Sequence, residues 1–338
     1  MPKMRMNQAI VAALADEMRS DPNVMVMGED VAVAGGPFKT SDGLLAEFGP
    51  LRVRDTPISE MGFTGAAVGA AAMGLKPVVE IMFIEFLGVA LDALVTEGAK
   101  FRYLSAGQVT CPMVVRATIG SGLGFGSQHS QTMENWLMAT PGLKVCVPSD
   151  PQSAYGLLRS AIRDQDPVVV LEPRALYAQR DEVATGEDGI IPLGTARIAR
   201  AGSAATVVTL GQTKNVALKA AEQANLDLEV IDLLSLVPWD IETVLSSVRR
   251  TGKLVVIEES PESGGWGSEI VSTVVRHAFS NLSAAPFRIT APNVPVPYAK
   301  DLEARYLPTA EDVVRQLDGY LSSGQIPAPW WVQEGIVV

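Results

Sequence analysis

Short, nearly continuous apolar runs alternate, along the first half of the chain, with stretches whose apolar residues recur at helical spacing. This spacing predicts a first helix that Asn7 can cap and that ends near Arg19. Asp150, which is followed by proline, predicts the N-terminus of a later helix. Apolar runs of strand length between helices indicate a parallel sheet covered on both faces. The predicted strands are 24–27, 77–83, 111–117, 143–147 and 167–172, and the other predicted helices are 61–74 and 88–103.

A polar segment, AQRDEVATGEDG, interrupts this alternation, which then starts again from about residue 205. We therefore predict an α/β fold with two doubly wound domains, at residues 1–180 and 203–338, joined by a linker at 181–202. The apolar tail carries Trp330 and Trp331, which can dock on their own domain or on a neighbouring chain. In the second domain the predicted strands are 205–210, 228–233, 253–260 and 287–292, and the predicted helices are 213–223, 240–248, 267–279 and 310–321.

The composition indicates a protein with extra apolar surface for partners. Of its 338 residues 47% are hydrophobic, and the mean hydropathy is +0.20, which is high for a soluble monomer. The net charge of -11 and the lack of basic runs argue against nucleic-acid binding. Cys111 and Cys146 stand in apolar strand contexts, so we expect two reduced core thiols. The early acidic residues Asp16 and Glu17 argue against a signal peptide, and we predict a cytoplasmic protein.

Two motif-like features do not meet the requirements of the sites that they resemble. The glycine-rich segment GSGLGFG, at 120–126, has Phe125 and Ser127 where a dinucleotide-binding G-x-G-x-x-G would need its last glycine. His129 and His277 are the only histidines and lack the spacing of zinc ligands. These observations exclude a typical nucleotide fingerprint and a structural zinc site.

Glu60 stands at the entrance of an uncharged run of small residues, 61–75. In one interpretation, its carboxylate only offsets the dipole of a helix that begins there. In the other, small residues let the backbone close around a ligand, and burial raises the carboxyl pKa so that Glu60 can share a proton. The residues alone leave both interpretations open.

Several segments, in the same order along residues 6 to 321, resemble the β subunit of the E1 component of 2-oxo acid dehydrogenase complexes. They are DTPISEMGFTGAAVGAAAMGLKPVVEIMF, QHSQ, PGLKVCVPSDP, LLRSAIRDQDPVVVLEP and VPVPYAK. The segment EIMFIEFLGVALDALVTEGAKFRY is most similar to acetoin dehydrogenase β subunits, with the pyruvate and branched-chain types as close competitors. The resemblance implies an N-terminal domain that binds the pyrimidine half of thiamine diphosphate and a C-terminal domain of the transketolase-C type.

The resemblance also implies roles for four side chains. Glu60 would hydrogen-bond N1′ of the aminopyrimidine ring and share a proton with it, and Phe86 would pack against that ring. His129 would handle protons near the reacting carbon or the incoming lipoyl group, and Glu29 would be a second carboxylate near the cofactor. For Phe86, His129 and Glu29, a core contact, a loop-ordering hydrogen bond and a turn or cap remain the respective structural alternatives.

Metal and partner expectations follow from the same resemblance. A potassium ion would bind, largely through backbone oxygens, at Met113, Ala161, Ile162, Asp164 and Asp166. The G-D-G…N segment that holds Mg²⁺ and the diphosphate is absent, since EDG at 187–189 has Glu187 in place of the first glycine. The resemblance assigns that grip to an α subunit in an α2β2 heterotetramer. Close helix packing at Gly65 and Gly69 would fit either a β–β contact or packing within the chain.

We therefore expect a β subunit that, with its α partner and thiamine diphosphate, cleaves a C–C bond next to a carbonyl. The acyl fragment would pass to a lipoyl group on an E2 acyltransferase. Acetoin is the preferred substrate, and pyruvate or branched-chain 2-oxo acids are the alternatives. A self-contained transketolase-like enzyme would need its own diphosphate site, and a non-catalytic scaffold subunit would have no use for Glu60 and His129.

Overall fold

The computed structural model of the chain describes residues 1–333 and 335, so residues 334 and 336–338 of the predicted tail lie outside it. The described chain divides into two compact units. The first comprises Met1–Ile119, Trp136–Leu193 and Leu236–Pro238, and the second comprises Gly120–Asn135, Gly194–Ser235 and Trp239–Val338.

The first unit is built on a seven-stranded sheet. Its strands are β2 (Val24–Gly28), β3 (Val53–Asp55), β4 (Lys76–Ile81), β5 (Val114–Ile119), β6 (Lys144–Cys146), β7 (Val168–Pro173) and the edge strand β12 (Ser235–Val237), in the order β12-β6-β7-β5-β4-β2-β3. The pairings from β6 through β7, β5, β4 and β2 to β3 are parallel, so the predicted parallel sheet is present. Cys111 and Cys146 are buried and free, and burial raises the pKa of the Cys111 thiol to about 12, as expected of inert core thiols.

Helices and a small antiparallel ribbon complete the first unit. The ribbon pairs β1 (Lys3–Arg5) with β8 (Arg180–Glu182). The helices are α1 (Met6–Ser20), α2 (Leu44–Phe48), α3 (Glu60–Ala72), α4 (Leu87–Leu91), α5 (Phe101–Leu104) and α7 (Pro151–Arg163), and α6 (Glu134–Met138) begins in the segment that belongs to the second unit. Asp150 caps α7 as predicted, because its Oδ1 accepts a hydrogen bond from the Ser153 N–H at 2.8 Å.

The helix predicted at 88–103 is not continuous. A 3₁₀ turn at Ile84–Phe86 leads into α4, and a π-helical segment (Asp92–Glu97) and a second 3₁₀ turn (Gly98–Lys100) then precede α5. The close approach of Gly98 to its surroundings accompanies this break: a Cβ at Gly98 would lie 3.3 Å from Val68 of α3. The periodicity of the sequence correctly predicted that this segment is helical, but the prediction of one continuous α-helix was wrong.

The second unit contains a five-stranded sheet with the order β14-β13-β10-β11-β9. Its strands are β9 (Arg197–Arg200), β10 (Ala205–Thr209), β11 (Leu228–Asp232), β13 (Leu254–Pro261) and β14 (Phe287–Ala291). All pairings are parallel except that of β9 with β11. The helices are α8 (Thr213–Gln223), α9 (Ile241–Thr251), α10 (Gly267–Ala278), α11 (Lys300–Glu303), α12 (Ala310–Ser323) and α13 (Trp330–Gln333).

The unit boundaries differ from the predicted domains in three places. The segment Leu236–Pro238 belongs to the first unit although it lies within the predicted second domain. The loop 120–135 belongs to the second unit although it lies within the predicted first domain. The predicted linker 181–202 also contains ordered structure, since it holds most of β8 and all of β9. Both strands are short and lie at edges, so their sequences carry little of the apolar signal by which buried strands are recognised.

The two tryptophans of the tail pack on their own unit. Trp330 and Trp331 are buried in the core of the second unit, and the Trp330 indole N–H donates to the Thr290 carbonyl at 2.8 Å. This settles the alternative that the sequence left open for these two side chains. Within residues 1–333 and 335, no helix combines the length and the apolar character that crossing a bilayer requires.

Candidate functional site

Three of the predicted site residues come together at one edge of the first sheet. Glu29 directly follows β2, Glu60 begins α3 after β3, and Phe86 lies in the turn after β4. Because β3, β2 and β4 are neighbouring parallel strands, their carboxyl ends share an edge. This edge is where ligands generally bind in open parallel sheets.

Glu29 is a partly buried carboxyl with unused hydrogen-bonding capacity. Its Oε1 is buried and has no hydrogen-bond partner. Burial, followed by the negative charges of Glu60 and Asp30, raises the pKa of Glu29 above its ordinary value. Gly28 is required just before it, because a Cβ there would lie 2.6 Å from the Glu80 carbonyl oxygen. The arrangement suits a ligand that donates a hydrogen bond to Glu29.

Glu60 is the first residue of α3 and is half-buried. Its charge contributes to the raised pKa of Glu29, after burial, so the two carboxyl groups lie within electrostatic range of one another. The positive end of the α3 dipole also favours a carboxylate here, which agrees with the structural interpretation from the sequence. That Glu60 becomes fully shielded and shares a proton with a ligand stays a prediction.

Phe86 belongs to a cluster of aromatic rings in the first unit. Its ring meets Phe83 edge-on, with centroids 5.6 Å apart, and Phe83 meets Phe38 in the same way at 5.9 Å. The Arg174 guanidinium lies 5.0 Å from the centroid of Phe83 and donates to Thr118 Oγ1 at 3.0 Å. Phe86 is half-buried and lies at the end of this cluster.

A fully buried ionic network that the sequence reasoning missed lies across the central strands. Arg116 on β5 donates to Glu80 on β4 at 2.7 Å and, through two nitrogens, to Glu172 on β7 at 2.7 and 2.9 Å. Thr40 and Tyr177 also donate to these carboxylates, at 3.0 and 2.6 Å. Desolvation opposes the charge on Arg116, but the two carboxylates outweigh it and raise its pKa. The sequence did carry a signal for this network, since a charged residue stands within each of these three apolar strands.

His129 lies in the second unit, on the loop that follows β5. The loop closes on itself, since the Gly120 N–H donates to Gln131 O at 3.0 Å and the His129 N–H to Gly126 O at 3.3 Å. The imidazole is half-buried and its Nδ1 is close to the Gln128 carbonyl oxygen. Glu29, Glu60 and Phe86 belong to the first unit, so the sequence prediction distributes the site residues over both units.

Buried carboxyl groups surround the base of this loop in the second unit. Glu259 accepts hydrogen bonds from the Ser121 N–H at 2.6 Å and from Gln212 at 2.6 Å. Burial nevertheless raises the pKa of Glu259 to about 7, and the neighbouring charge of Glu134 adds to the rise. Burial also raises the pKa of Glu134, which accepts a hydrogen bond from Ser260 Oγ at 3.1 Å. These residues were not predicted, because their partners are far apart in sequence.

The residues present fit the pyrimidine half of thiamine diphosphate. The orphaned Glu29 oxygen and the Glu60 carboxyl can meet the polar atoms of an aminopyrimidine, and Phe86 offers an aromatic surface. Within residues 1–333 and 335, no cluster of three His, Cys, Asp or Glu side chains suits a metal ion. Glu187 of the EDG segment is held by Arg163, which lowers the pKa of that carboxyl to about 2.

The five residues predicted to bind potassium lie near the C-terminus of α7 and the start of β7. The carboxylate of Asp164 is bound to Lys144 at 2.8 and 2.6 Å, and that of Asp166 to Arg102 at 2.5 Å. A cation here would therefore depend on backbone carbonyl oxygens, which a helix C-terminus supplies. Met113, Ala161 and Ile162 are buried beside them, and potassium binding stays a prediction.

Comparison with known proteins gives a consistent family. The model of the transketolase pyrimidine binding domain matches residues 2–179, and that of the transketolase C-terminal domain matches residues 194–313. The solved structure of a split gene transketolase, described as an inactive beta4 tetramer, has a TM-score of 0.76, covers 95% of this chain and 99% of its own, and is 23% identical. That likeness shows the predicted two-domain α/β fold.

Curated relatives agree over most of the chain. The pyruvate dehydrogenase E1 component subunit beta-1 of Arabidopsis thaliana is 45% identical and covers 93% of this chain and 88% of its own length. The corresponding subunit of Rhizobium meliloti (strain 1021) is 44% identical, with coverages of 93% and 69%. The acetoin:2,6-dichlorophenolindophenol oxidoreductase subunit beta of Bacillus subtilis (strain 168) is 41% identical, with coverages of 91% and 94%. The chain belongs to the E1 β-subunit family of the thiamine-diphosphate-dependent 2-oxo acid and acetoin dehydrogenases.

Proposed function

We propose that this chain is the β subunit of a heterotetrameric α2β2 E1 enzyme that cleaves a C–C bond next to a carbonyl and passes the acyl fragment to a lipoyl group on E2. The observation that carries the proposal is the pairing of Glu29 and Glu60 at the carboxyl edge of the first sheet. One carboxyl oxygen of Glu29 is buried and unpartnered, and burial, followed by the charge of Glu60, raises the pKa of Glu29. Structural carboxylates rarely leave such capacity unused.

Each predicted site residue has a distinct task in this proposal. Thiamine diphosphate, when bound, supplies the carbon nucleophile and the electron sink for C–C cleavage. Glu60 shares a proton with N1′ of the aminopyrimidine, and Glu29 accepts a hydrogen bond through its free oxygen. Phe86 packs against the ring and excludes water from it. His129 moves protons at the reacting carbon or at the lipoyl sulfur, since an imidazole can both accept and donate a proton.

The diphosphate and its Mg²⁺ are assigned to an α subunit in this proposal. Support comes from the EDG segment at 187–189, where Glu187 stands in place of the first glycine and is already paired with Arg163. The full-length chain alone should therefore bind thiamine diphosphate weakly in the presence of Mg²⁺, as measured by calorimetry. Tight binding by the isolated chain would contradict the divided site and favour a self-contained enzyme.

A second β subunit is the proposed neighbour of the exposed face of α3. Met61 and Met73 are 55% and 86% exposed at the two ends of this face. Between them Gly65 and Gly69 are exposed, and a Cβ at Gly69 would meet nothing within 4 Å. A helix face with small residues between apolar ends allows the backbone of a second helix to approach closely.

The identity of the substrate distinguishes the acetoin, pyruvate and branched-chain types of E1 enzyme. Acetoin is the prediction from the sequence, whereas the names of the Arabidopsis and Rhizobium relatives favour pyruvate. We would assay the chain, co-purified with its α subunit, with acetoin, pyruvate and a branched-chain 2-oxo acid, using dichlorophenolindophenol as electron acceptor. Turnover of acetoin alone would support the first assignment, and turnover of a 2-oxo acid would replace it.

A cytoplasmic location and a lipoyl-E2 partner remain proposals that rest on the family resemblance. The rival scaffold function predicts an assembled complex whose turnover does not depend on Glu60. Substitution of that residue therefore separates the two functions.

A further inference from the structure

The glycine-rich loop of the second unit points its backbone donors at two carboxylates of the same chain. Glu303, the last residue of α11, is buried, and its Oε1 accepts from the Gly122 N–H at 2.8 Å while its Oε2 accepts from the Gly124 N–H at 2.8 Å. Gly122 and Gly124 have φ values of +97° and +77°, in the left-handed region. A turn of this kind gathers N–H groups into a concavity that binds anions.

Glu259, at the end of β13, holds the start of the same loop. Its Oε1 accepts from the Ser121 N–H at 2.6 Å and from Ser121 Oγ at 3.2 Å, while Gln212 donates to Oε2 at 2.6 Å. The neighbouring Gly120 has a φ of +96°, and a Cβ there would lie 3.0 Å from Glu259 Oε1. Only glycine therefore combines this backbone conformation with so close a carboxylate.

We infer that Glu259 and Glu303 are positioning residues that hold the loop carrying His129. Their carboxylates accept hydrogen bonds from backbone N–H groups that could otherwise bind a phosphate. The segment GSGLGFG therefore has the glycine-rich composition of a phosphate-binding loop, but its N–H groups bind carboxylates of the same chain. From Ser121 to Gly124, three backbone N–H groups are fixed by buried acceptors on β13 and α11. The far end of the loop is closed by the bond from His129 N–H to Gly126 O.

The amide variant Glu303→Gln tests the inference because it keeps the size of the side chain but offers one acceptor in place of two. Its NH₂ group would face a backbone N–H, so the loop should move. Glu303→Asp keeps both acceptors on a shorter side chain and should restore the loop in part. Asp301→Asn is the matched control, since Asp301 is an exposed acid on the same short helix.

The readout uses the fact that the chain has only two histidines. In the full-length chain with ¹⁵N-labelled histidine, Glu303→Gln should displace or broaden the ring resonances of His129 and leave those of His277 in place. Glu303→Asp should displace them less, and Asp301→Asn should not displace them. Ring resonances of His129 that match the wild type in both Glu303 variants would overturn the inference.

Where it concerns catalysis, the inference rests on the proposed function. A measurement of activity distinguishes a failure of the loop anchoring from a failure of the proposed role of His129. With the α subunit, kcat of Glu303→Gln should fall by about 10- to 100-fold, because a misplacement of about 1 Å in an active site can have an effect of that order. The concentration of thiamine diphosphate for half-maximal activity should not change. Displaced His129 resonances with unchanged kcat would support the loop anchoring and contradict the proposed role of His129. Unchanged resonances with a lowered kcat would overturn the anchoring alone.

Discussion

At the scale of single residues, the chain keeps carboxyl groups in places where burial opposes their charge. Glu29 in the first unit and Glu134 and Glu259 in the second all have raised pKa values, and desolvation is the largest cause in each. Such groups occur more often at functional sites than elsewhere, although ion-pair networks also produce them. Here Glu29 has an unpartnered oxygen, whereas Glu259 is saturated by Ser121 and Gln212. The contrast favours a ligand role for the first and an anchoring role for the second.

The pKa of Glu259 predicts a pH dependence of stability. Because the folded value is about 7 and the ordinary value is 4.5, the folded chain retains a proton between these pH values that the unfolded chain has lost. The stabilisation of the folded chain that this proton provides is fully present below about pH 4.5 and is lost as the pH rises to about 7. Glu259→Gln removes this pH dependence, so the unfolding free energy of the variant relative to the wild type should rise by up to about 3 kcal/mol between pH 5 and pH 8. A pH-independent loss accompanies this change, because the new amide cannot accept from both the Ser121 N–H and Gln212.

Urea unfolding of both chains across this pH range provides the measurement. Glu134 and Tyr306, the titratable groups that interact electrostatically with Glu259, are present in both chains. The difference between the two curves therefore reports on Glu259. Parallel curves of unfolding free energy against pH would contradict the raised pKa of Glu259.

At the scale of elements, the network of Arg116 ties the three central strands of the first sheet together. Arg116→Met should lower the free energy of unfolding by about 3–5 kcal/mol, because it leaves Glu80 and Glu172 buried without their cation. The control Arg102→Met breaks the partly exposed pair with Asp166 and should cost about 1 kcal/mol or less. Equal losses in the two variants, measured by urea unfolding, would show that the buried network does not stabilise the sheet.

A triple variant tests whether the loss in Arg116→Met comes from the two buried carboxylates that it leaves unpaired. If Glu80→Leu and Glu172→Leu accompany Arg116→Met, no buried charge remains unpaired, and much of the lost stability should return. A triple variant that is less stable than Arg116→Met alone would contradict this explanation.

The elements also show how far the sequence could predict the structure. Thr213–Gln223 was predicted with the bounds that the structure has, because its apolar spacing is regular and the flanking strands are strongly apolar. The strands β1, β3, β8, β9 and β12 were missed, since three- and four-residue edge strands have no distinctive pattern. The assignment of residues 120–135 to the second unit depends on Glu259 and Glu303, which lie more than 130 residues away along the chain. Long-range acceptors of this kind cannot be read from local sequence.

The candidate site was predicted unevenly for the same reason. Glu29 and Phe86 follow strands that the sequence predicted, whereas Glu60 follows β3, which was missed, so only the family resemblance pointed to Glu60 as a neighbour of the other two. The support for Phe86 from Phe83, Phe38 and Arg174 became visible only in three dimensions.

At the scale of the whole molecule, the family match and the exposed face of α3 favour a subunit of a larger assembly. Gly69→Leu should weaken the proposed β–β contact and shift the assembly to smaller species in sedimentation, since the side chain projects from the exposed face. The chain itself should not unfold, because leucine is favoured over glycine in a helix by roughly 1 kcal/mol. The control Gly319→Leu, on the exposed face of α12, should leave the assembly intact. Unchanged sedimentation of Gly69→Leu would remove α3 from the interface.

Turnover by the assembled α2β2 enzyme with Glu60→Gln tests the central claim most directly. The account predicts that activity falls by about 10²- to 10⁴-fold, the usual contribution of a proton-transferring side chain, while assembly and thermal stability stay as in the wild type. Glu182→Gln, which alters an exposed acid on β8, should keep full activity. A Glu60→Gln enzyme that assembles and turns over at the wild-type rate would contradict the account.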